Sequence, residues 1–317
     1  MKILPNNIQV NQDLSFRLRL DIQFDSNIKG VIPYLSLFQT TNGISIADSK
    51  TDKEQGLDMD FEIERTSGSE PSLANITIWN LSPDTFNQIA NKSNAFELYY
   101  ARGNDDWALL FRGTPYFSTQ TGASGGNNSS RGFLNKDDAV GGENDVATTI
   151  TLLDSLHSFE SAVISKSYQG NVSARTIIMD CVNIMGVQLG DEITIYPLMN
   201  NYVARGKIAK VLNELCGKIG CKHIIDNGVL HLFNGDKPKV YGYLFNGDNS
   251  SKPEKEQDED KILHHFTTQL LPNLRAGQYC KCEFDSLNGT YEIDKVILSG
   301  NNYGTSGQVE IWVKWVL

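Results

Sequence analysis

The stretch LDMDFEIERT, residues 57–66, sets Leu57, Met59, Phe61 and Ile63 on one parity and Asp58, Asp60, Glu62 and Glu64 on the other. A period of two marks a strand with one buried face, because successive side chains point to opposite sides. A slip of one residue would turn four carboxylates into the core, so the pattern fixes register as well as conformation. A chain carrying this stretch must build a sheet with an apolar side and a charged side.

Other segments join that sheet. LSFRLRLDIQF (14–24) places Phe16, Leu18, Leu20 and Ile22 on one parity, and VATTITLLDSL (146–156) does the same with Val146, Thr148, Ile150 and Leu152. AFELYYARG (95–103) and WALLFRGTPYF (107–117) read as paired strands. In LANITIWNLSPDTF (73–86), Ala74, Ile76 and Ile78 share a face, and the strand gives way at once to a helix. Ser82 is a favourable N-cap, Pro83 suits the first helical position and Asp84 suits the first turn. DTFNQIANKS supplies about three turns, too short to stand alone, so this helix is expected to plug a sheet. A Gly/Asn/Asp-rich loop is expected over 121–145.

The middle of the chain changes period. SARTIIMDCVNIMG (173–186) carries Ala174, Ile177, Ile178, Cys181, Val182 and Met185 on one helical stripe, between Ser173 as N-cap and Gly186 as C-cap. GKIAKVLNELCGKIG (206–220) repeats the stripe, and CKHIIDNGVLHLF reads as a hairpin turning at Asp226-Asn227-Gly228. The last third returns to strands: QYCKCEF, NGTYEIDKVIL and QVEIWVKWVL. NSSKPEKEQDEDK (249–261) reads as a charged loop, and LFNGD, at 232–236 and 244–248, as shared turn chemistry. The fold class is α+β, mainly β. Three regions follow: 1–160, β with the strand–helix plug; 161–235, a small α/β unit; and 236–317, a second β region.

Little in the sequence points to chemistry. A net charge of −10 across 317 residues argues against a basic nucleic-acid-binding face, while an acidic wall could still let a duplex slide past. No run of ~18 apolar residues is available to span a membrane. The first residues lack a signal-peptide core, which gives a cytoplasmic expectation. Cys216, Cys221, His223 and His231 have the spacing C-x4-C-x-H-x7-H, which fits no standard zinc site, although the two histidines could share one side of the hairpin. They read as core thiols and surface imidazoles. Cys280 and Cys282 share one face of a strand, about 6.5–7 Å apart and too far for a relaxed disulfide. His264 and His265 would point in opposite directions. Cys181 and Cys216 are expected to be buried, reduced thiols. Asp58, Asp60, Glu62 and Glu64 could span the separation of glycosidase carboxylates, about 6.5–7 Å or more, yet no clustered aromatics suggest a sugar cleft. They read as an acidic strip, facing either solvent or a lumen. No metal, cofactor or catalytic residue is expected.

The succession DFEIERTSGSEPSLANITIWNLSPDTFNQI, AFELYYARG, LLFRGTPYF, TTITLLDSLHSFESAVISKSYQGNVSARTIIMDCVNIMG and LNGTYEIDKVILSGNNYGTSGQVEIWVKWV resembles the phage baseplate hub and tail protein family over about two thirds of the chain. The resemblance implies two tail-tube-like antiparallel β-barrel domains with the α/β domain between them. It implies a non-enzymatic virion protein: a homotrimeric hub that joins a sixfold tail tube to a threefold central spike around a channel for DNA. The implied partners are tail tube protein, central spike protein, tape-measure protein and baseplate wedge proteins, assembled in the bacterial host cytoplasm without a membrane. A hub of a phage-derived bacteriocin or injection machine, or a zinc- or carboxylate-dependent hydrolase, are the alternatives. Segments 30–50 and 249–261 have no counterpart in the resemblance.

Overall fold

A computed structural model describes residues 16–23, 43–47, 57–66, 72–90, 94–102, 106–122, 146–154, 162–234, 242–258, 261–302 and 307–315. The first region contributes β1 (Phe16–Gln23), β2 (Gly43–Ala47), β3 (Met59–Thr66), β4 (Leu73–Trp79), α1 (Pro83–Ile89), β5 (Ala95–Arg102), β6 (Ala108–Gly122) and β7 (Val146–Leu153). The middle contributes β8 (Val163–Ser167), β9 (Asn171–Ser173), α2 (Ala174–Met185), β10 (Gln188–Leu189), β11 (Leu198–Asn200), β12 (Val203–Lys207), α3 (Ile208–Ile219), β13 (Cys221–Asp226) and β14 (Val229–Asn234). The last region contributes β15 (Tyr243–Asn246), β16 (Glu254–Asp258), β17 (Lys261–Gln269), β18 (Tyr279–Glu283), β19 (Asn288–Asn301) and β20 (Gly307–Trp315). The fold is α+β, mainly β and mainly antiparallel.

The alternating segments bury the parity that their sequence marks. Leu18, Leu20, Met59, Ile63, Ala74, Ile76, Ile78, Ile150 and Leu152 are all fully buried. Each large aliphatic side chain so buried contributes about 1.5–3 kcal/mol. β3 is an interior strand of a 13-stranded sheet whose main path runs β16-β17-β20-β19-β3-β4-β7-β6-β5-β1-β2. Its partners are β4, from the first region, and β19, from the last. Buried side chains of both regions form one cluster, from Leu18 to Val313. Asn302 extends the join: its side chain accepts from the Met59 amide at 2.8 Å and donates to the Leu57 carbonyl at 2.8 Å. The α/β unit has its own core, in which the stripes of α2 and α3 meet Ile225, Leu230 and Leu232 of the β13–β14 hairpin.

Four local expectations need correction. α1 is two turns long rather than three, because the Asn94 side chain donates to the carbonyls of Gln88 (2.9 Å) and Ile89 (3.2 Å) and ends the helix there. Segment 249–261 contains a strand, β16, paired with β17. It lacks apolar alternation because it is an exposed edge, where charged side chains discourage further pairing. His223 and His231 lie on opposite faces of the hairpin, since His223 pairs with Leu232 and His231 with Ile224. Both are buried rather than surface imidazoles. The Sγ atoms of Cys280 and Cys282 approach to 4.0 Å, closer than the strand repeat alone suggests, because side chains at i and i+2 can lean together. The Gly/Asn-rich loop lies outside the described residues beyond Gly122, as does most of 30–50.

Candidate functional site

The abrupt strand-to-helix step is held at both ends. Asn80 takes a positive φ of 60°, which asparagine tolerates better than most residues. Its amide donates to the Val146 carbonyl at 2.7 Å, and its side chain accepts from the Val146 amide at 3.1 Å. Ser82 Oγ then caps α1 by accepting from the Thr85 amide at 3.1 Å. Gln120 on β6 donates to the Leu81 carbonyl at 2.8 Å, and buried Leu81 anchors the turn in the core. The helix start is therefore fixed against β6 and β7, and the outward face of β4 is fixed with it.

That outward face continues across several strands. Directly paired residues share a face, so Asp60 stands beside Thr77 and Asn301, and Glu62 beside Asn75 and Ser299. Hydroxyl and amide groups link the next strand: Thr77 and Thr149 hydroxyls lie 3.1 Å apart, and Thr151 donates to Asn75 at 2.8 Å. Asp60 accepts from the Trp79 indole at 2.9 Å, and Glu64 pairs with Lys295 at 2.7 Å. Asp58 precedes β3 and is exposed, as is Glu62; Asp60 and Glu64 are half-buried. Among the described residues of β7, β4, β3 and β19, Lys295 is the one basic side chain on this face. The result is a broad polar wall with excess negative charge.

The opposite side of β3 holds what sequence reasoning missed. Arg65 continues the apolar parity of Met59, Phe61 and Ile63, and it is fully buried. Its guanidinium donates to the carbonyls of Leu110 (2.5 Å), Pro272 (3.0 Å) and Leu274 (2.8 Å). It also stands 3.2 Å from Asp226, whose other oxygen accepts from Arg275 at 2.5 Å. Burial alone pushes the Asp226 carboxyl up, but the two guanidinium groups outweigh it and hold the group below the ordinary carboxylate range. Asn227 and Gly228 complete the turn with positive φ, as a two-residue hairpin requires. Asn227 accepts from the Arg112 amide at 2.7 Å, and the Gly228 amide donates to Asp154 at 3.0 Å. The tip of the α/β hairpin is thus a plug seated between the two β regions. An arginine on an apolar parity was the available signal.

The residues with metal-like spacing do not converge. Among the described residues, no three of His, Cys, Asp and Glu stand together as a metal site. All five thiols are free and buried. Burial pushes Cys181 up to about 12 and His223 down to about 4. His231 binds Asp191 at 2.8 Å through Nδ1, and burial followed by Arg275 lowers its pKa. His264 stands edge-on to Tyr291, while His265 stacks on Trp312 at 4.5 Å, so the adjacent pair does diverge. No helix among the described residues is long and apolar enough to cross a membrane.

No family model and no curated protein matches the chain in sequence. Solved structures do match in shape. A 43 kDa tail protein of prophage MuSo2 from Shewanella oneidensis aligns with a TM-score of 0.59 at 10% identity, covering 82% of this chain and 92% of that one. A tail protein from Neisseria meningitidis MC58 aligns at 0.55 and 8% identity, covering 81% and 95%. The E. coli c3393 protein, a component of the type VI secretion system with structural similarity to the T4 bacteriophage tail proteins gp27 and gp5, aligns at 0.54 and 11% identity, covering 84% and 76%. The chain shares its fold with these two tail proteins and with this secretion-system component.

Proposed function

We propose that the chain is a non-catalytic structural subunit of a tail or baseplate, a hub that assembles as a trimeric ring. In this reading it joins a sixfold tail tube to a threefold central spike and surrounds a channel for DNA. The observation that carries the reading is the shared fold with two tail proteins over 82% and 81% of the chain. The polar face around β3 supports it. A channel wall has to let a phosphate backbone pass, and each uncompensated lysine or arginine would add attraction. Here Lys295 is already engaged by Glu64, and Asp60 and Glu62 add repulsion. Tail tube, spike, tape-measure and wedge proteins are the partners of this reading, and the virion, put together in a bacterial cytoplasm, is its location.

The test is compositional and positional. Tails purified from lysed cells are dissociated and weighed by native mass spectrometry, and the tagged chain is located by electron microscopy. Three copies at the joint of tube and spike are expected; another copy number, or label along the whole tube, overturns the hub. The wall is tested separately with Asp60→Lys combined with Glu62→Lys. Assembly should persist while DNA ejection slows, most of all at low salt, where charges are least screened. Normal ejection at low salt removes β3 from the wall and leaves the hub untouched. A second reading, the hub of a phage-derived bacteriocin or injection machine, is favoured by the likeness to the secretion-system component. Particles that carry no DNA would select it.

A further inference from the structure

The chain carries a net charge of −10, yet one two-stranded ribbon of the α/β unit turns a basic face outwards. β8 and β12 pair antiparallel, with Arg205 opposite Ser165 and Lys207 opposite Val163. Ile164 and Ala204 are buried, so the other parity, with Val163, Ser165, Val203, Arg205 and Lys207, meets solvent. Val163 and Val203 are each 60% exposed. Among the described residues, neither Arg205 nor Lys207 has a carboxylate partner. The ribbon also has an open edge, because among the described residues β12 pairs with β8 alone.

β16 is the complement of β12. Both strands are five residues long, and among the described residues β16 pairs with β17 alone. Glu254 and Glu256 share one parity of β16, and both are exposed. The Trp312 indole donates to Glu256 at 2.6 Å and holds that carboxylate beside the edge. Like charges keep two copies of β16 apart, whereas a basic strand meets no such repulsion.

We propose that β12 of one copy of this chain pairs antiparallel with β16 of the next, with Arg205 opposite Glu256 and Lys207 opposite Glu254. Main-chain hydrogen bonds then satisfy both open edges, and the two charge pairs fall on one face of the joined sheet. The contact is heterologous: each copy offers its ribbon to one neighbour and its sheet edge to another, so the contact repeats and closes as a ring. The inference rests on the trimeric ring proposed above and gives that ring an interface.

The experiment sediments the purified full-length chain at low salt and treats it with a carbodiimide, which joins a lysine to a carboxylate without a spacer. Trimers are expected, and the cross-linked band of doubled mass should contain Lys207 joined to Glu254. Arg205→Glu combined with Lys207→Glu sets like charges opposite each other and should weaken association about tenfold or more. Adding Glu254→Lys and Glu256→Lys to the same chain should restore it. All four side chains are exposed, so circular dichroism should stay native. A chain that is monomeric at every concentration, a Lys207 cross-link that stays within one chain or reaches another carboxylate, or a charge reversal without effect overturns the pairing. Any of these results alongside three copies at the joint of tube and spike removes this interface and leaves the hub. A different copy number in purified tails removes the hub itself.

Discussion

Asp226 is 1% exposed and lies against two arginines, whereas Glu62 on the outer face of β3 is open to water and Glu64 meets a single lysine. The same chemical group does two different jobs on the two sides of β3. Inside, the charge is tolerable only because its partners are fixed, and those two partners belong to the first and the last region of the chain. Outside, the charge costs little and holds little; it shapes the field that a passing molecule meets. Removing a carboxylate at the first position is therefore a question of stability, and at the second a question of surface.

The largest break in this contrast is Asp226→Ala, which strands the fully buried Arg65. Loss of one partner of a buried pair costs about 3–5 kcal/mol, to be read from denaturant midpoints and slopes. Arg65→Met combined with Asp226→Leu should cost less than the two single changes added, because no buried charge is left alone. A stability loss under about 1 kcal/mol in Asp226→Ala would mean that the hairpin tip is not the joint it looks like.

pH sharpens the comparison. His223 falls from 6.5 to about 4 through burial, so the unfolded chain binds its proton first as pH drops. Stability from this group is complete above about 6.5 and is lost as pH falls towards 4, by about 3 kcal/mol in all. His231, also lowered by burial, acts in the same direction. Asp226 adds a second loss at lower pH, below the ordinary value of 3.8, as its lowered folded pKa is reached. A His223→Leu chain should show a flatter stability profile between pH 6.5 and 4; an unchanged slope there removes His223 as the source.

Smaller effects belong to the step and to the wall. Ser82→Ala removes the cap of α1 and should cost about 1 kcal/mol. Smallest of all, Glu62→Lys should change stability by less than about 0.5 kcal/mol, because the side chain meets water. A larger loss for Glu62→Lys than for Ser82→Ala would reverse the distinction between inside and outside.

Much of the scaffold was legible because a period of two and a period of 3.6 are physical constraints on which faces can be buried. The parity of Met59, Phe61 and Ile63, the stripes of α2 and α3, and the Asn227-Gly228 turn all follow from local chemistry. The same reasoning failed where the decisive partner is far away in sequence. β16 looked like a loop because an edge strand is held by its neighbour's backbone and needs no apolar side chains of its own. His223 and His231 looked superficial because nothing local says that a second layer covers a hairpin. Arg65 was visible as an exception to its own pattern, but its partners, at 110, 226, 272 and 274, could be supplied only by the folded chain.

The pairing of β3 with β19 sets an order of events during synthesis. Asn302 reaches Met59 across 243 positions, so β3 waits, one edge unpaired, until the chain has been made as far as β19. The intervening unit has a core of its own and can condense first, which shortens the span that must then be closed. Its hairpin tip can seat only when Arg65 and Arg275 are both in reach, at the moment when the two β regions meet. An emerging chain is therefore most exposed to edge-to-edge association just before β19 and β20 leave the ribosome, and truncations that remove them should aggregate rather than remain partly folded.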